Sequence, residues 1–523
     1  MFIYEKPALR RASFPLWAYL LPRLPDLLFV ALLAGVVGLG PRLLNVDGDL
    51  GRHLTIGGYI LDSFSIPRRD LFSFSLAGAP LTPHEWLAQV IFTLAYRLGG
   101  LDGVVLLCAV LVAGTFSLVY RQCARRSRSP SLALVLAILA AAVASLHWLA
   151  RPHLFTLLLL VLWTGELERL RGGGSPRGGV FPALMLLWAN LHGAFIAGFV
   201  LLGIYLLGEL VEWFGGKAKD DGESSSQEGM SGGRQGRVRS LLLAGIASFL
   251  ASLMNPAGWR LWETSLGFLR NRYLIGHTAE YLPPDFHAPA TWPFLLMIGL
   301  SILVLGSGRS RLGATPVLML AGWTVMGLYS ARNVPLYAVT GAPILAGAAG
   351  AWLRSEAALA SWRLLDERLA EVEASLRGRL WPVLAVCLAA LAIANGARLD
   401  FARQGNRFDP AVFPVAAVDW LESQSPPGNG FNYFPWGGYL LYRQWPVRRV
   451  FIDGQTDFYG EALTRQYEQV IGLGEGWREV LRRYGTGWVL VPPGSALAQA
   501  LVAEPGWQEM YRDSTASVFY LKP

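Results

Sequence analysis

LPDLLFVALLAGVVGLGPRLLNVDGDLGRHL, residues 24–54, contains the two signals from which the rest of the chain is read. Residues 25–44 are apolar for long enough to cross a hydrocarbon core of ~30 Å as a helix. Directly after them stand Asp47, Asp49, Arg52 and His53. An apolar run that ends in acids and bases reads as a membrane span opening onto an aqueous loop. Working outward, comparable stretches occur eleven times, near 25–44, 102–120, 131–149, 152–167, 180–191, 193–213, 240–254, 291–307, 314–330, 334–352 and 380–396. The pair around Asn190 and His192 also reads as one long kinked helix. Composition agrees: 53% of the 523 residues are hydrophobic, 16% are charged and mean hydropathy is +0.38. Soluble chains carry roughly a quarter charged residues, so a soluble multidomain enzyme is excluded. The expected fold is mainly α: a polytopic helix bundle of about eleven spans, residues 1–396, followed by a small α/β domain at 397–523.

The formal charge of +8 is informative through its placement. Basic clusters occur at Lys6, Arg10, Arg11 and Arg23, at Arg121 to Arg128, and at Arg169 to Arg177. They recur over Lys217–Arg239, at Arg309 and Arg311, and over Arg354–Arg379. Every second loop is basic, as the positive-inside rule requires of alternating threading. The chain is therefore expected in the inner (plasma) membrane as a multi-pass protein, N-terminus cytoplasmic and C-terminal domain extracytoplasmic. The first span is expected to remain uncleaved. Nucleic acid is not an expected partner. Cys108, Cys123 and Cys387 lie in or beside apolar runs, with neither disulfide nor metal spacing. Residues 214–239, which include GESSSQEGMSGG, read as disordered. Residues 353–379 read as an amphipathic helix on the inner surface.

The outer face carries the polar chemistry, in loops 45–100 and 255–290 and in the tail. Within the first loop, HEWLAQVIFTLAYRLGG is apolar but short and contains Arg97, which fits a surface-parallel helix better than a span. The tail alternates helical spacing (FPVAAVDWLESQS, TRQYEQVIGLGEGWREVLRRYG) with strand-like runs (RRVFIDG, WVLVPP, ASVFYLKP).

Carboxylates just beyond a span can take a proton from a hydroxyl or hold a divalent cation through oxygen ligands. Asp47, Asp49, Asp70, His84 and Glu85 are so placed, although an Asp-Gly-Asp turn is also ordinary solvated loop chemistry. Arg52 with His53, Arg151 with His153 in HWLARPHLF, and Arg332 with Asn333 are cations at the outer membrane turns. Arginine suits phosphate because its planar fork donates two hydrogen bonds at once, and snorkelling to the interface is the alternative reading. In WANLHG, Asn190 and His192 have either a functional or a helix-pairing role. In the second loop Trp259, Trp262, His277, Glu280, Asp285 and His287 combine rings that stack on sugars with acids that orient hydroxyls, and interfacial tryptophans are expected in any case. No phosphate-binding glycine loop, zinc spacing or serine elbow is present in the sequence.

The segment 45–87, together with WANLHG and NPAGWRLW, resembles the GT-C superfamily of integral-membrane glycosyltransferases. In that superfamily a catalytic acid follows the first span. The resemblance implies a sugar transferred from a polyprenyl-phosphate donor to a lipid, glycan or protein acceptor. It further implies Asp49 as base, with Asp47 as alternate and Glu280 assisting. Arg52, His53, Arg151, His153 and Arg332 would bind donor phosphate, and His84, Glu85, Trp86, His192, Trp259 and Trp436 the sugar or acceptor. The superfamily includes metal-using members, so Mg or Mn on Asp47, Asp49 and Glu280 is one expectation. HTAEY at 277–281 and FPWGGYLLYRQWPVRRVFIDGQ at 434–455 resemble segments of oligosaccharyltransferase catalytic subunits. Gly437 and Gly438 replace the residues with which that family reads its acceptor peptide, which argues against sequon recognition. A non-catalytic partner in envelope polysaccharide assembly and a transporter or flippase are the competing functions.

Overall fold

A computed structural model of the chain describes residues 16–175, 177–217, 228–307, 312–356 and 359–522. Lys6, Arg10, Arg11, Arg309, Arg311 and residues 218–227 of the polar loop lie outside the described residues. All eleven apolar stretches contain helix. Among the described residues, six helices are long and apolar enough to cross a membrane: Trp17–Gly38, Trp86–Ser127, Pro130–His147, Gly193–Phe214, Pro289–Gly306 and Ala331–Ser355. A seventh qualifies if Ala360–Ser375 and Leu380–Ala394, bent by 73°, count as one span. The other expected spans do not meet that measure, some by length: at ~1.5 Å per residue, the 12-residue helix Val180–Leu191 is too short to cross alone. The protein is a polytopic membrane protein all the same.

Two expectations about connections change. The apolar HEWLAQVIFTLAYRLGG segment runs on into the next span in one helical stretch, Trp86–Ser127, but Gly99 and Gly100 interrupt it. Gly100 has φ +60°, a conformation that favours glycine, so the segment is a separate helix set at an angle to the span. Residues 228–239, expected to be disordered, begin the helix Glu228–Ser252. Arg237 holds that helix to its neighbour through two 3.0 Å bonds to Glu209, and Arg234 donates to the Glu212 carbonyl at 3.0 Å. Ion pairing to a packed helix orders a stretch whose composition alone suggested disorder.

The tail forms a four-stranded sheet of order β1-β2-β4-β3, with β1 Asn429–Asn432, β2 Thr486–Val491, β3 Trp507–Arg512 and β4 Ser517–Leu521. β1 runs parallel to β2, and the other pairs are antiparallel. Val489, Leu490 and Val491 of β2 are fully buried, as a central strand requires. RRVFIDG, expected as a strand, does not enter this sheet. Val450 instead makes a parallel bridge to Ser73 of the 45–85 loop, with Val450 N donating to Phe72 O and Phe74 N to Val450 O, both at 3.1 Å. On its other side the buried Asn432 side chain accepts from Phe451 N at 2.8 Å and donates to Ile452 O at 2.9 Å. The Ile452-Asp453-Gly454 turn is thus held between tail and loop.

The tail also packs on the helix that carries the acidic loop. Helix Gly437–Gln444 lies against helix Asp49–Ser63 through glycines. A Cβ at Gly438 would stand 2.1 Å from the Gly48 carbonyl oxygen, and one at Gly51 2.3 Å from that of Gly438. Only bare backbone fits such an approach, which gives the Gly-Gly after Trp436 a packing role. Phe408, Trp436, Tyr439 and Val518 of the tail belong to the same apolar core as the membrane helices.

Candidate active site

The acidic loop is shaped by its own first residue. Asp47 Oδ1 accepts from Asp49 N at 3.0 Å, an Asx-type turn that starts the helix Asp49–Ser63. The other oxygen of Asp47 faces Arg151 at 2.9 Å, and Asp49 Oδ2 faces the same guanidinium at 2.8 Å. Arg151 Nη1 also pairs with Glu280, whose second oxygen takes a 3.0 Å bond from Arg332. Three carboxylates from two loops therefore surround one guanidinium, with a second behind it. Arg332 Nη2 continues the chain by donating to His192 Nε2 at 3.2 Å, and its guanidinium lies 5.0 Å from the Tyr281 ring centre. With Nε2 accepting, His192 carries its proton on Nδ1 and donates it to Thr156 at 2.9 Å.

A second cluster adjoins the first. Glu85 lies 3.6 Å from Arg52, 3.9 Å from His53, 3.9 Å from His84 and 3.8 Å from His192. Arg52 is buried, and it reaches the tail as well: 3.7 Å to Asp453 and 3.3 Å to Gln455. His84 sits 3.6 Å from Asp457. Asp453 accepts from Tyr459 at 2.9 Å. Gly454 permits the approach: a Cβ there would stand 1.7 Å from Asp49 Oδ1. The tail turn is therefore one wall of the site.

Burial and neighbouring charges divide the acids. Burial lifts Asp47 above the usual carboxylate range, against the pull of Arg151 and with the charge of Asp49 adding to the rise. Burial likewise lifts Asp453 to about 6, with Arg52 opposing. Glu280 goes the other way: burial would raise it, but Arg151 and Arg332 outweigh that and hold it at about 2. Burial, aided by Arg52, pushes His53 well below its ordinary value.

A divalent cation was one expected occupant of Asp47, Asp49 and Glu280. Those carboxylates do converge, but on Arg151, whose guanidinium occupies the position a cation would need. Among the described residues no group of three or more His, Cys, Asp or Glu side chains is arranged to hold a metal ion. As folded, the donor set does not fit a divalent cation.

Of the sequence candidates, Asp47, Asp49, Glu280, Arg52, His53, Arg151, Arg332, His84, Glu85 and His192 share this network. Four others are engaged differently. His153 is turned to the His147 carbonyl, one layer behind Arg151. Trp86 donates to Asn190 at 2.7 Å, joining two helices. Trp259 is 56% exposed and its ring packs on Phe249. Trp436 is 4% exposed and donates to the Val412 carbonyl at 2.9 Å, so its indole belongs to the core and has no free face for a sugar. Asp70 staples its own loop by accepting from Phe72 N at 3.0 Å and from the Ser73 hydroxyl at 2.6 Å. In the second loop, His277 packs on Tyr273 and Asp285 caps His287 N. Gly454 and Gln455 emerge only from the fold, as do the partners of Asp453 and Asp457.

No protein-family model and no curated protein matches the chain. Solved structures do. An archaeal oligosaccharyltransferase, AglB from Archaeoglobus fulgidus in complex with an inhibitory peptide and a dolichol-phosphate, matches with TM-score 0.57 and 12% identity, over 89% of this chain and 69% of that one. The apo form of the Archaeoglobus fulgidus oligosaccharyltransferase matches with TM-score 0.54 over the same shares, also at 12% identity. The chain has a GT-C-like fold. ArnT from Cupriavidus metallidurans bound to undecaprenyl phosphate also matches, at TM-score 0.45 and 15% identity over 94% of this chain and 97% of that one. Within the GT-C-like fold of this protein, the acidic turn after the first span faces both the 255–290 loop and the C-terminal tail.

Proposed function

We propose that this chain is a membrane glycosyltransferase that moves a sugar from a polyprenyl-phosphate-linked donor to a lipid, glycan or protein acceptor. The observation that carries the reading is the gathering of Asp47, Asp49 and Glu280 with Arg151, Arg332 and Arg52 at one end of an apolar bundle. The fold is one that also serves AglB, whose structure holds a dolichol-phosphate. The alternation of basic loops puts that end on the extracytoplasmic side.

In this scheme an acceptor hydroxyl gives its proton to Asp49 as its oxygen attacks the anomeric carbon. The bond from that carbon to the donor phosphate breaks, and the electron pair leaves on the phosphate oxygen with inversion at the sugar. Arg332 and Arg52 meet the developing phosphate charge, as fixed cations in a dry site can. Buried polar atoms without partners support a polar ligand: Arg52 Nε, His53 Nδ1 and Arg151 Nε make no hydrogen bond. Arg151 supplies the charge that fixes the two aspartates, so the reaction runs on a guanidinium where a divalent cation was the alternative.

The test is transfer of radiolabelled sugar from a polyprenyl-phosphate donor by the purified protein in proteoliposomes. Transfer that persists at wild-type rate in both Asp49→Asn and Asp47→Asn ends this reading.

A further inference from the structure

At the opposite end of the bundle lies a cavity of about 450 Å³ lined by Arg23, Arg121, Arg125, Arg128, Arg379 and Glu373. Its position follows from two helices that run from it to the acidic site. Leu24–Gly38 starts beside Arg23 and leads to Asp47, and Pro130–Ala144 starts beside Arg128 and leads to Arg151. Each has 15 residues, so roughly 20 Å of helix separates the two ends.

Five guanidiniums share this space with one carboxylate. That carboxylate is committed: Glu373 accepts from Leu24 N and lies 3.8 Å from Arg23. Among the described residues, Arg121, Arg125, Arg128 and Arg379 have no carboxylate within ion-pair distance. This is not how the protein treats arginine elsewhere at the same end. A second cavity there, about 350 Å³, is lined by Arg171 and Arg237 together with Glu168, Glu209 and Glu212. In it Arg171 lies 3.9 Å from Glu212 and Arg237 bonds Glu209 at 3.0 Å. Crowded like charges without counter-charges repel one another, and an anion with several acceptor oxygens relieves them.

The wall of the cavity indicates what kind of anion. Ala370, Glu373 and Ala374 come from helix Ala360–Ser375, which is pinned to the bundle by Asp366 accepting from Ser131 N at 3.0 Å and from its hydroxyl at 2.7 Å. The same helix leaves Leu364, Leu365 and Val372 more than half exposed, at 62%, 68% and 55%. An apolar face beside a basic cavity, at a membrane boundary, suits a ligand that is anionic at its head and apolar behind it.

We propose that this cavity binds the phosphate headgroup of an anionic phospholipid. The site is separate from the acidic centre and does not depend on the transferase reading. Native mass spectrometry of the intact protein in a non-ionic detergent tests it, with dioleoylphosphatidylglycerol, dioleoylphosphatidylcholine and inorganic phosphate as probes. One phosphatidylglycerol should bind saturably, at least tenfold tighter than phosphatidylcholine, and resist displacement by millimolar phosphate. The double variant Arg121→Gln/Arg125→Gln should lose at least tenfold in affinity. Ala374→Leu, which narrows the cavity while leaving every arginine in the chain, should lose a similar amount. Equal binding of the two lipids, or wild-type binding by both variants, overturns the proposal. Phosphate that binds as tightly as phosphatidylglycerol also overturns it, in favour of a soluble anion.

Discussion

Two arginine clusters, one at each end of this bundle, are opposites. At the acidic end Arg52, Arg151 and Arg332 each face carboxylates supplied by the protein, drawn from loops far apart in sequence. At the other end Arg121, Arg125, Arg128 and Arg379 line a cavity that holds one carboxylate, already engaged by Arg23. A charge whose partner is built in orients groups and is costly to remove. A charge whose partner comes from outside contributes little to the folded chain and much to binding. The arginines themselves are alike in the two clusters; the carboxylates beside them separate one from the other.

The largest expected effect lies at the acidic end. Asp49→Asn should lower transfer about 100-fold or more, the range of a removed general base. Gly454→Ala should mimic much of that loss in the same radiolabel assay, because its methyl would stand 1.7 Å from Asp49 Oδ1. A Gly454→Ala protein with full activity would detach the tail turn from the site.

Next in size is Arg151→Ala, which leaves three carboxylates without their shared counter-charge. Breaking a buried pair costs about 3–5 kcal/mol. With the Arg151 side chain 20% exposed, we expect the low end of that range, read as a fall in thermal inactivation midpoint. The same variant should gain stoichiometric Mn²⁺ binding by electron paramagnetic resonance, and the wild type should show none at this site. Wild-type binding that Asp49→Asn abolishes would reverse the roles assigned to metal and guanidinium.

pH sharpens the contrast inside the acidic end. Glu280 is held at about 2 against an ordinary 4.5, so its contribution to stability is present above about 4.5 and is lost as pH falls through about 2. Asp453 is raised from 3.8 to about 6, so its contribution is fully present below 3.8 and is lost as pH rises through about 6. Inactivation rates measured from pH 3 to 8 should lose their acid limb in Glu280→Gln and their neutral limb in Asp453→Asn.

The smallest effect belongs to the basic cavity. Arg125→Gln in phosphatidylcholine should move the inactivation midpoint by an amount equivalent to no more than about 0.5 kcal/mol, as for an unpartnered surface residue. A loss as large as that of Arg151→Ala would mean that the two ends are alike.

Much of the acidic site was legible because it is local to loop ends. Asp47, Asp49, Arg52 and His53 follow the first span directly, and Arg151, Glu280 and Arg332 stand in connections between apolar helices that hydropathy locates. The tail's share was not legible. Asp453 meets Arg52 across 400 intervening positions in sequence, only because Val450 bridges to Ser73 and Asn432 clamps the segment from behind. RRVFIDG has β propensity, but propensity does not name a strand's partner. Trp436 shows the converse error: a sequence echo suggested a binding ring, and packing put that ring in the core.

By itself the sequence determined the membrane bundle, the helical tail pattern and the segregation of acids to the loops expected outside, because hydrophobic length and charge act locally along the chain. Tertiary structure alone decided which charges neutralise one another. Pairing energy falls off within a few ångströms, and the distances among Arg151, Asp47, Asp49 and Glu280 exist only once loops and tail have packed together.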